Sequence, residues 1–541
     1  MNDDSNVIPP SMRRIAPYIA LIFAVFIAYV NIYDNAFLFD DDLLITMNRY
    51  LRDWSSFDKL FTATSTEGAG IIGGFFRPVQ NLLYFFVYQA GGPNPLGFHL
   101  LNVALHAANA CLAFKLSKKL GFSPAPALLA LLLWAVHPLH TEAITYMSGT
   151  ADPLFVLFML AALVYLAPDF KPFKIWLSLP LFFLALMAKE NALVFPALVM
   201  ICMFLTLPNR KFHPRSYLKT IPLWLLALAY LYWRYTADHL DGPTRYARLF
   251  QLEDFSNWSL YAQHPLWRIQ TFLATLPNYL YLIVWPHDLH IERSFAVFAS
   301  WKYPVVGAGA AVLVLALAQL GWGRGKRGLA LSWGLLWFAA AHFPNTGLFI
   351  PMNSLFLEHW MYLPTLGLFL GIGETLGRSL EAKNWNKAKY ALACCALIGC
   401  AALGAKTLEQ NAVWYSPFTL YPHIFANGER SPRGHNNLAL AYQKNHQLPE
   451  SIAELRKAIK EGDTYAETHH NLALALLSLP DGNARKEEAI KELLRALEIE
   501  PKFYRSRLTL SQVYASMGKD QESAEELQKA KDILQQIERN K

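Results

Sequence analysis

Three adjacent carboxylates are the first residues in this sequence that could do chemistry. Asp40, Asp41 and Asp42 follow directly on an apolar segment at about 15–33. Acidic groups at the edge of a membrane are costly unless they face water or a cation, so they are candidates for a functional site. The three residues alone fit a second interpretation equally well, because Asp is also favoured at the start of a helix.

Further ionisable residues gather where later apolar segments end. They are His137, His140, Glu142, Asp152, Lys189, Glu190, Glu358 and His359. Arg77 and Arg245 lie in two longer loops between the segments. A carboxylate can take a proton from an attacking hydroxyl, and cations can stabilise a departing phosphate. We therefore assign Asp41 and Asp40 as the two candidates for the base and the other residues to binding of a substrate, with Arg77, Lys189, Arg245 and His359 as the available cations.

A metal site is the minor alternative for His137, His140 and Glu142. Pro138 interrupts a helix between the histidines, and no spacing typical of zinc is present. We expect no bound metal, with a divalent cation left open. His99 and His106 are seven residues apart and so share a helix face, where we expect hydrogen-bonded packing.

The elements that position these residues are predicted to be membrane helices. The chain has 541 residues, of which 54% are hydrophobic and 16% charged, and its mean hydropathy is +0.21. Such values are typical of a polytopic membrane protein. Apolar segments fall near 15–33, 97–117, 125–137, 153–167, 174–188, 192–208, 220–236, 270–286, 303–320, 328–343, 360–377 and 389–405.

Loop charge predicts the orientation of these segments. Lys and Arg cluster at 115–119, 171–174, 210–219, 324–327 and 378–389. The positive-inside rule puts those clusters and the N-terminus in the cytoplasm, with the first segment retained as an anchor. All clusters fall on one side if 270–286, which contains Pro277, does not cross completely. We therefore predict about eleven spans, the acidic loop outside, and a surface helix at Val79–Tyr88.

An internal repeat follows the apolar region. NNLALAY at 436–442 recurs as HNLALAL at 470–476 and again, more weakly, as TLSQVYASMG at 509–518. The period between the first two units is that of the tetratricopeptide repeat, in which each unit is a helix pair that stacks on its neighbours. We predict a membrane domain at 1–410, a linker at 411–432, and three repeats at 433–541, outside the membrane.

Several of these motifs occur together in a known family. FLFDDDLLI, the FRP at 76–78, HPLHTEAI with SGTAD at 137–152, AKEN at 188–191 and LEHWMYLP at 357–364 stand in this order. The chain resembles the transmembrane O-mannosyltransferases with tetratricopeptide repeats (the TMTC group). The resemblance covers nearly the whole chain and implies the C-type glycosyltransferase fold, a polyprenyl-phosphate sugar donor and an acidic residue in the first outside loop. His359 stands where the family more often has Arg, which together with the short repeat array is typical of a prokaryotic relative.

The resemblance and the residues predict one activity. We expect transfer of mannose or a similar hexose from a polyprenyl-phosphate carrier to Ser or Thr hydroxyls of an extracytoplasmic protein, with inversion, in a bacterial inner membrane. The repeats would hold the protein acceptor. The alternative is a membrane scaffold that recruits partners through its repeats without catalysis. An enzyme requires Asp40 or Asp41, Glu142, Lys189 and Glu358 to converge on one outward cavity that is open to lipid, and a scaffold does not.

Overall fold

Helices account for the regular structure of this chain. The computed structural model describes residues 10–71, 75–206, 214–236, 261–322, 326–351, 354–382, 386–462 and 465–539. Within those ranges there is no β-strand, which confirms the predicted all-α class. The chain divides into two compact units, residues 1–415 and residues 416–541.

The first unit contains the predicted apolar segments as helices. Those of ten or more residues are α1 (Pro10–Ala28), α2 (Pro78–Gly91), α3 (Pro95–Lys119), α4 (Pro124–Ala135), α5 (Ala151–Leu166), α6 (Pro172–Ala188), α7 (Phe195–Thr206), α8 (Ile221–Thr236), α9 (Pro265–Val284), α10 (Pro304–Trp322), α11 (Lys326–His342), α12 (Tyr362–Ala382) and α13 (Asn386–Val413). Helices α2, α3, α4 and α6 begin with proline, which has no N–H to lose in a first turn.

Four helical stretches of the described residues are long and apolar enough to cross a membrane. They are Pro95–Lys119, Met147–Leu166, Pro304–Trp322 and Lys387–Val413. A fifth candidate is a broken span, in which α4 and the stretch Pro138–Ile144 meet at a bend of 55°. Each of the five falls on a predicted apolar segment. The count of eleven spans stays a prediction.

Helix α9 covers the segment predicted not to cross completely. It is an unbroken helix of 20 residues with Pro277 inside. At a rise of ~1.5 Å per residue such a helix reaches ~30 Å, about the thickness of the hydrocarbon core. A re-entrant turn would interrupt the helix, so α9 either lies at the interface or crosses. The incomplete crossing stays a prediction.

Glycines allow a close contact between α11 and α12 in the first unit. A Cβ on Gly334 of α11 would lie 2.7 Å from the carbonyl oxygen of Gly367 in α12. A Cβ on Gly371 would lie 3.0 Å from the Cα of Gly334. Small residues four apart let helix backbones approach in this way inside membranes. The close contact fixes α12, whose first turn follows Glu358 and His359.

Three of the basic clusters lie at one end of this unit. Lys119 Nζ donates to the carbonyl oxygens of Val164 and Ala167 at 2.6 and 3.0 Å, which joins the ends of α3 and α5. Arg378 donates to the carbonyl oxygen of Gly121 at 3.2 Å, and Lys174 pairs with Asp169. The arrangement agrees with the loop-charge argument, in which these clusters share the cytoplasmic side.

Thiol labelling tests this orientation. In a background without the five native cysteines, Lys383→Cys and Ser523→Cys are treated with a membrane-impermeant reagent from outside the cell. We expect labelling of Ser523→Cys only, because the loops at 115–124, 209–219, 321–328 and 378–389 are predicted to be cytoplasmic and the repeats external. Labelling of Lys383→Cys alone would contradict the orientation.

The second unit consists of stacked helix pairs. A first helix, α14 (Pro417–Ala426), packs on α15 (Pro432–Lys444), which forms a pair with α16 (Leu448–Glu461). The pairs α17 (Ala466–Leu477) with α18 (Lys486–Ile499) and α19 (Tyr504–Ser516) with α20 (Asp520–Arg539) follow. Three repeats are therefore present. Within the predicted linker, 411–413 still belong to α13 and the second unit begins at Ser416.

A repeated contact between side chains joins the two helices of each repeat. His435 pairs with Glu454 and His469 with Glu492, both at 2.6 Å, and Arg507 pairs with Glu526 at 2.7 Å in the third repeat. The equivalent Leu438, Leu472 and Leu510 are all buried. In the middle repeat a short 3₁₀ turn at Gly482–Arg485 lies between the two helices.

Candidate functional site

The acidic loop that follows α1 buries one of its three carboxylates. Asp41 is 1% exposed. Its Oδ2 accepts the N–H of Leu38 at 2.9 Å, while its Oδ1 accepts the N–H and the hydroxyl of Ser148 at 2.7 and 2.5 Å. Phe39, just before, has a φ of 50°, a left-handed conformation that is uncommon for a bulky residue. The loop is thus held in one shape around the Asp41 carboxylate.

Burial changes the protonation of Asp41. Desolvation raises its pKa to about 7, against the opposing hydrogen bonds from Ser148 and Leu38 and with a small contribution from neighbouring Asp40. A carboxyl group that titrates near neutral pH suits a general base, because proton transfer is most efficient when the pKa lies near the working pH.

Asp40 and Asp42 are only half-buried. The backbone N–H of Asp40 donates to the hydroxyl of Tyr146 at 3.0 Å. Asp42 Oδ1 accepts the hydroxyl of Thr46 at 2.7 Å, one turn on in the short π-helix Asp42–Thr46. Asp42 thus stabilises this turn. Of these three carboxylates, Asp41 is the one that is fully buried.

Two ion pairs bring four predicted site residues together. Lys189 Nζ contacts both oxygens of Asp152, at 2.7 and 2.8 Å, and both side chains are almost fully buried. Arg77 donates to Glu190 at 3.0 Å. Asp152 lies in the first turn of α5 and Lys189 directly after α6, so the contact between those two helices sets the first pair.

Helix α2 connects these pairs to the segment that holds Asp41. Gln80 donates to the hydroxyl of Tyr84 at 2.8 Å and to the carbonyl oxygen of Ser148 at 3.3 Å. Tyr84 donates to the carbonyl oxygen of Met147 at 2.7 Å. Because Arg77 immediately precedes α2, the same helix positions Arg77. Helix α2 therefore connects Arg77 to the segment that holds Asp41, and we call Asp41, Arg77, Asp152, Lys189 and Glu190 the acidic-loop cluster.

A second cluster forms around Glu142 and Glu358. His359 donates to Glu142 through its backbone N–H at 3.0 Å and contacts it through Nδ1 at 2.8 Å. Glu358 accepts the N–H of His290 at 2.8 Å and pairs with Arg293 at 3.4 Å. Both carboxyl groups are buried. Asp41 and Lys189 thus belong to one cluster and Glu142 and Glu358 to another, so the convergence of all four on one cavity stays a prediction.

Two of the predicted histidines have different surroundings. His137 caps a 3₁₀ turn, since its Nδ1 accepts the N–H of Leu139 at 3.2 Å, and its Nε2 meets the carbonyl oxygen of Ile283 at 2.9 Å. Both ring nitrogens are therefore used within the protein. His140 packs among aromatic rings, and neither of its ring nitrogens has a partner among the described residues.

The predicted hydrogen-bonded packing of His99 and His106 is confirmed. His99 Nε2 lies 3.1 Å from the carbonyl oxygen of Asn35, and His106 contacts Ala135 and Tyr362. Among the residues that the structure describes, no three His, Cys, Asp or Glu side chains are grouped to hold a metal ion. Arg245 lies outside the described residues.

The buried acid Glu358 predicts a pH effect on stability. Burial, and then the charge of Glu142, raise its pKa to about 8. The folded state therefore keeps this proton up to a higher pH than the unfolded state, so stability falls as pH rises from about 4.5 to about 8. In Glu358→Gln this part of the decrease should vanish, while the exposed Glu409→Gln should behave as wild type. Apparent melting temperatures from pH 5 to 8 check this, and equal slopes in all three proteins would contradict it.

Sequence reasoning missed several residues of these clusters. Ser148 holds Asp41, Tyr84 and Gln80 connect α2, and Arg293 pairs with Glu358. Ser148 lies inside SGTAD, one of the motifs used for the resemblance, but a serine without a local partner gives no signal by spacing. Arg293 follows α9 in a stretch without periodicity. These residues are identified only by their contacts in the folded structure, because they lie far from their partners in the sequence.

Comparison with known proteins supports the resemblance. Protein O-mannosyl-transferase TMTC3 of Mus musculus is 23% identical over 94% of this chain and 54% of its own length. Protein O-mannosyl-transferase Tmtc1 of Drosophila melanogaster is 24% identical over 83% of this chain and 62% of its own length. A protein O-mannosyl-transferase tmtc2 of Xenopus laevis is 34% identical over 25% of this chain. The chain thus spans little more than half the length of the first two relatives.

No protein-family model matches the chain. Among solved structures, the crystal structure of the APC/C hetero-tetramer Cut9-Hcn1 covers 92% of this chain and 94% of its own at 15% identity, with a TM-score of 0.21, too low to support an argument. The family resemblance is supported by the curated relatives, which are 22–24% identical over most of the chain. This chain is therefore similar over most of its length to the TMTC protein O-mannosyl-transferases, which confirms the resemblance predicted from its motifs.

Proposed function

We propose that this chain is an integral-membrane glycosyltransferase. It transfers mannose or a similar hexose from a polyprenyl-phosphate carrier to Ser or Thr hydroxyls of an extracytoplasmic protein. The observation that carries the proposal is the acidic-loop cluster, in which helix α2 connects a buried carboxyl group with a pKa of about 7 to the ion pairs that contain Arg77 and Lys189. The names of the relatives agree with this chemistry.

Asp41 is the proposed base. As the acceptor oxygen bonds to the anomeric carbon, the bond from that carbon to the phosphate oxygen breaks and the hydroxyl proton passes to Asp41. Attack opposite the leaving phosphate inverts the anomeric centre. Asp41 Oδ2 accepts the Leu38 N–H and has a further lone pair for this proton. Because Asp41 is buried, the acceptor must reach it by a small movement of the loop.

Arg77 and Lys189 are the proposed cations for the departing phosphate. Arg77 has a buried Nε–H with no partner among the described residues, in addition to the N–H that it donates to Glu190. A guanidinium with one donor already fixed and another free is suited to a phosphate oxygen. Lys189 adds a second positive charge, held in place by Asp152.

Analysis of the bound lipid tests the donor. The chain is expressed in a bacterial membrane, purified in mild detergent, and the lipids that remain bound are identified by mass spectrometry. We expect a polyprenyl-phosphate sugar, less abundant in Arg77→Ala than in wild type. Recovery of bulk phospholipid alone from both proteins would contradict a polyprenyl-phosphate donor. The repeats, which we propose hold the acceptor, should be dispensable for this lipid binding.

A further inference from the structure

The end of α13 holds the acidic loop through a buried asparagine. Asn411 is fully buried. Its Nδ2 donates to the carbonyl oxygen of Ala28 at 2.9 Å and to Asn31 Oδ1 at 3.0 Å. Its Oδ1 accepts the hydroxyl of Thr145 at 2.6 Å. One side chain therefore joins three segments, namely the end of α1, the stretch 137–152 and α13.

The backbone of the same turn makes two more contacts with the loop. Asn35 Nδ2 donates to the carbonyl oxygen of Asn411 at 3.0 Å. The N–H of Ala36 donates to the carbonyl oxygen of Tyr415 at 3.0 Å. Buried backbone groups need partners, so these bonds are lost only at a cost. The loop is thus attached at Asn35 and Ala36, a few residues before Asp41, to the end of α13 and the residues just after it.

An aromatic contact extends this attachment to the carboxylates. Trp414 is buried and stacks on Tyr146, with ring centroids 5.2 Å apart and an interplanar angle of 23°. The hydroxyl of Tyr146 accepts the N–H of Asp40 at 3.0 Å. Tyr146 also lies two residues before Ser148, which holds the Asp41 carboxylate. A displacement of Trp414 would therefore disturb both Asp40, which precedes Asp41, and Ser148, which holds the Asp41 carboxylate.

From these contacts we infer that Asn411 and Trp414 are positioning residues for Asp41. Neither touches the reacting atoms, and both act by fixing the loop that carries the base. The inference rests on the proposed function for its catalytic part, and on hydrogen bonds and packing alone for its structural part. It also gives a role to the last turn of α13, which the sequence assigned to a linker.

Hydrogen–deuterium exchange of the full-length protein in detergent tests the structural part. Asn411→Leu keeps the side-chain volume and removes all three hydrogen bonds of the amide. Exchange of the amides of residues 36–41 should become ~10-fold faster or more, as expected from the loss of hydrogen bonds that hold a local unit. The matched control is Thr407→Val, which removes a buried hydrogen bond from the same helix one turn earlier, to the carbonyl oxygen of Val136 at 2.7 Å. The control should leave 36–41 unchanged.

Kinetics test the catalytic part. In Asn411→Leu, we expect kcat for sugar transfer to fall ~10-fold or more while the KM for the donor stays within about twofold, since a misplaced base slows chemistry without removing donor contacts. The acid limb of the pH profile should move to lower pH, because a looser loop exposes Asp41 to water. The charged and titratable groups that face Asp41 are Asp40, Tyr146 and Tyr84. None of them is changed in this variant.

The outcomes separate this inference from the proposed function. Equal exchange at 36–41 in Asn411→Leu and Thr407→Val overturns the positioning role, whatever the activity. Faster exchange with unchanged kcat and pH profile overturns its catalytic part. A wild-type protein without transfer activity overturns the proposed function, and the exchange comparison still decides whether α13 holds the loop. If Asn411→Leu does not fold, Thr145→Val takes its place in the comparison with Thr407→Val. This variant removes only the hydroxyl that donates to Asn411.

Discussion

Replacing Asp41 by Asn should lower sugar transfer by a factor of ~10²–10⁴, the usual loss when a general base is removed. An amide cannot take the acceptor proton. It also cannot replace the carboxylate fully in structure, because its NH₂ group would face either the N–H of Leu38 or the donors of Ser148. We therefore expect a modest loss of stability beside the large loss of activity, measured by initial rates with a labelled lipid-linked sugar at equal protein concentration.

Asp42→Asn is the matched control for this substitution. The contact from Thr46 to Asp42 can be made equally well by an amide oxygen, so transfer should stay within about twofold, as for most changes away from special features. Asp40→Asn separates the two candidate bases. A large loss in Asp40→Asn with near-full rates in Asp41→Asn would move the base to Asp40, and near-full rates in both would move it to Glu142 or Glu358.

The second large effect is expected at the buried pair of Lys189 and Asp152. Lys189→Met leaves the Asp152 carboxylate buried without its partner, which typically costs about 3–5 kcal/mol of stability. In the double variant Lys189→Met/Asp152→Asn neither charge remains, so most of this loss should be recovered. Melting temperatures in detergent measure both effects. Lys406→Met, which breaks the exposed pair with Glu409, should change stability by about 0.5 kcal/mol or less.

Activity distinguishes a structural pair from a phosphate-binding cation. The double variant should be folded yet transfer sugar ~10²–10³ times more slowly, the loss expected when a charge that stabilises a leaving group is removed. Wild-type rates in a folded double variant would show that Lys189 serves structure alone. If Lys189→Met were as stable as Lys406→Met, this would contradict the argument that Asp152 is left buried without a partner.

Local patterns were sufficient for much of the architecture. Apolar runs with proline at their starts became helices such as α3 and α6, and equivalent leucines such as Leu438 and Leu472 became the buried positions of the repeats. Both signals depend on residues that are near one another in the sequence, so they can be recognised without a structure. The resemblance to a family came from motifs that stand in order along the chain, a property that also needs no structure.

The burial and the hydrogen-bond partners of each carboxylate in the acidic loop could not be predicted from the sequence. Asp41 differs from Asp40 and Asp42 because Ser148, 107 residues away, meets it with two donors. In the same way, Asn411 and Asn31 are in contact across 380 positions. The pairing of Arg293 with Glu358 depends on how α9 ends beside the start of α12. Such contacts follow from packing of whole helices, and residue spacing does not encode them locally.

Sugar transfer by the purified chain tests the central claim most directly. Wild type and Asp41→Asn are each incubated with a synthetic polyprenyl-phosphate mannose and a Ser/Thr-containing peptide, and the glycopeptide is identified by mass spectrometry and its anomeric configuration by NMR. The account predicts a glycopeptide whose configuration is opposite to that of the donor, formed by wild type and nearly absent with Asp41→Asn. Retained configuration, or equal product from both proteins, would contradict an inverting transfer with Asp41 as its base.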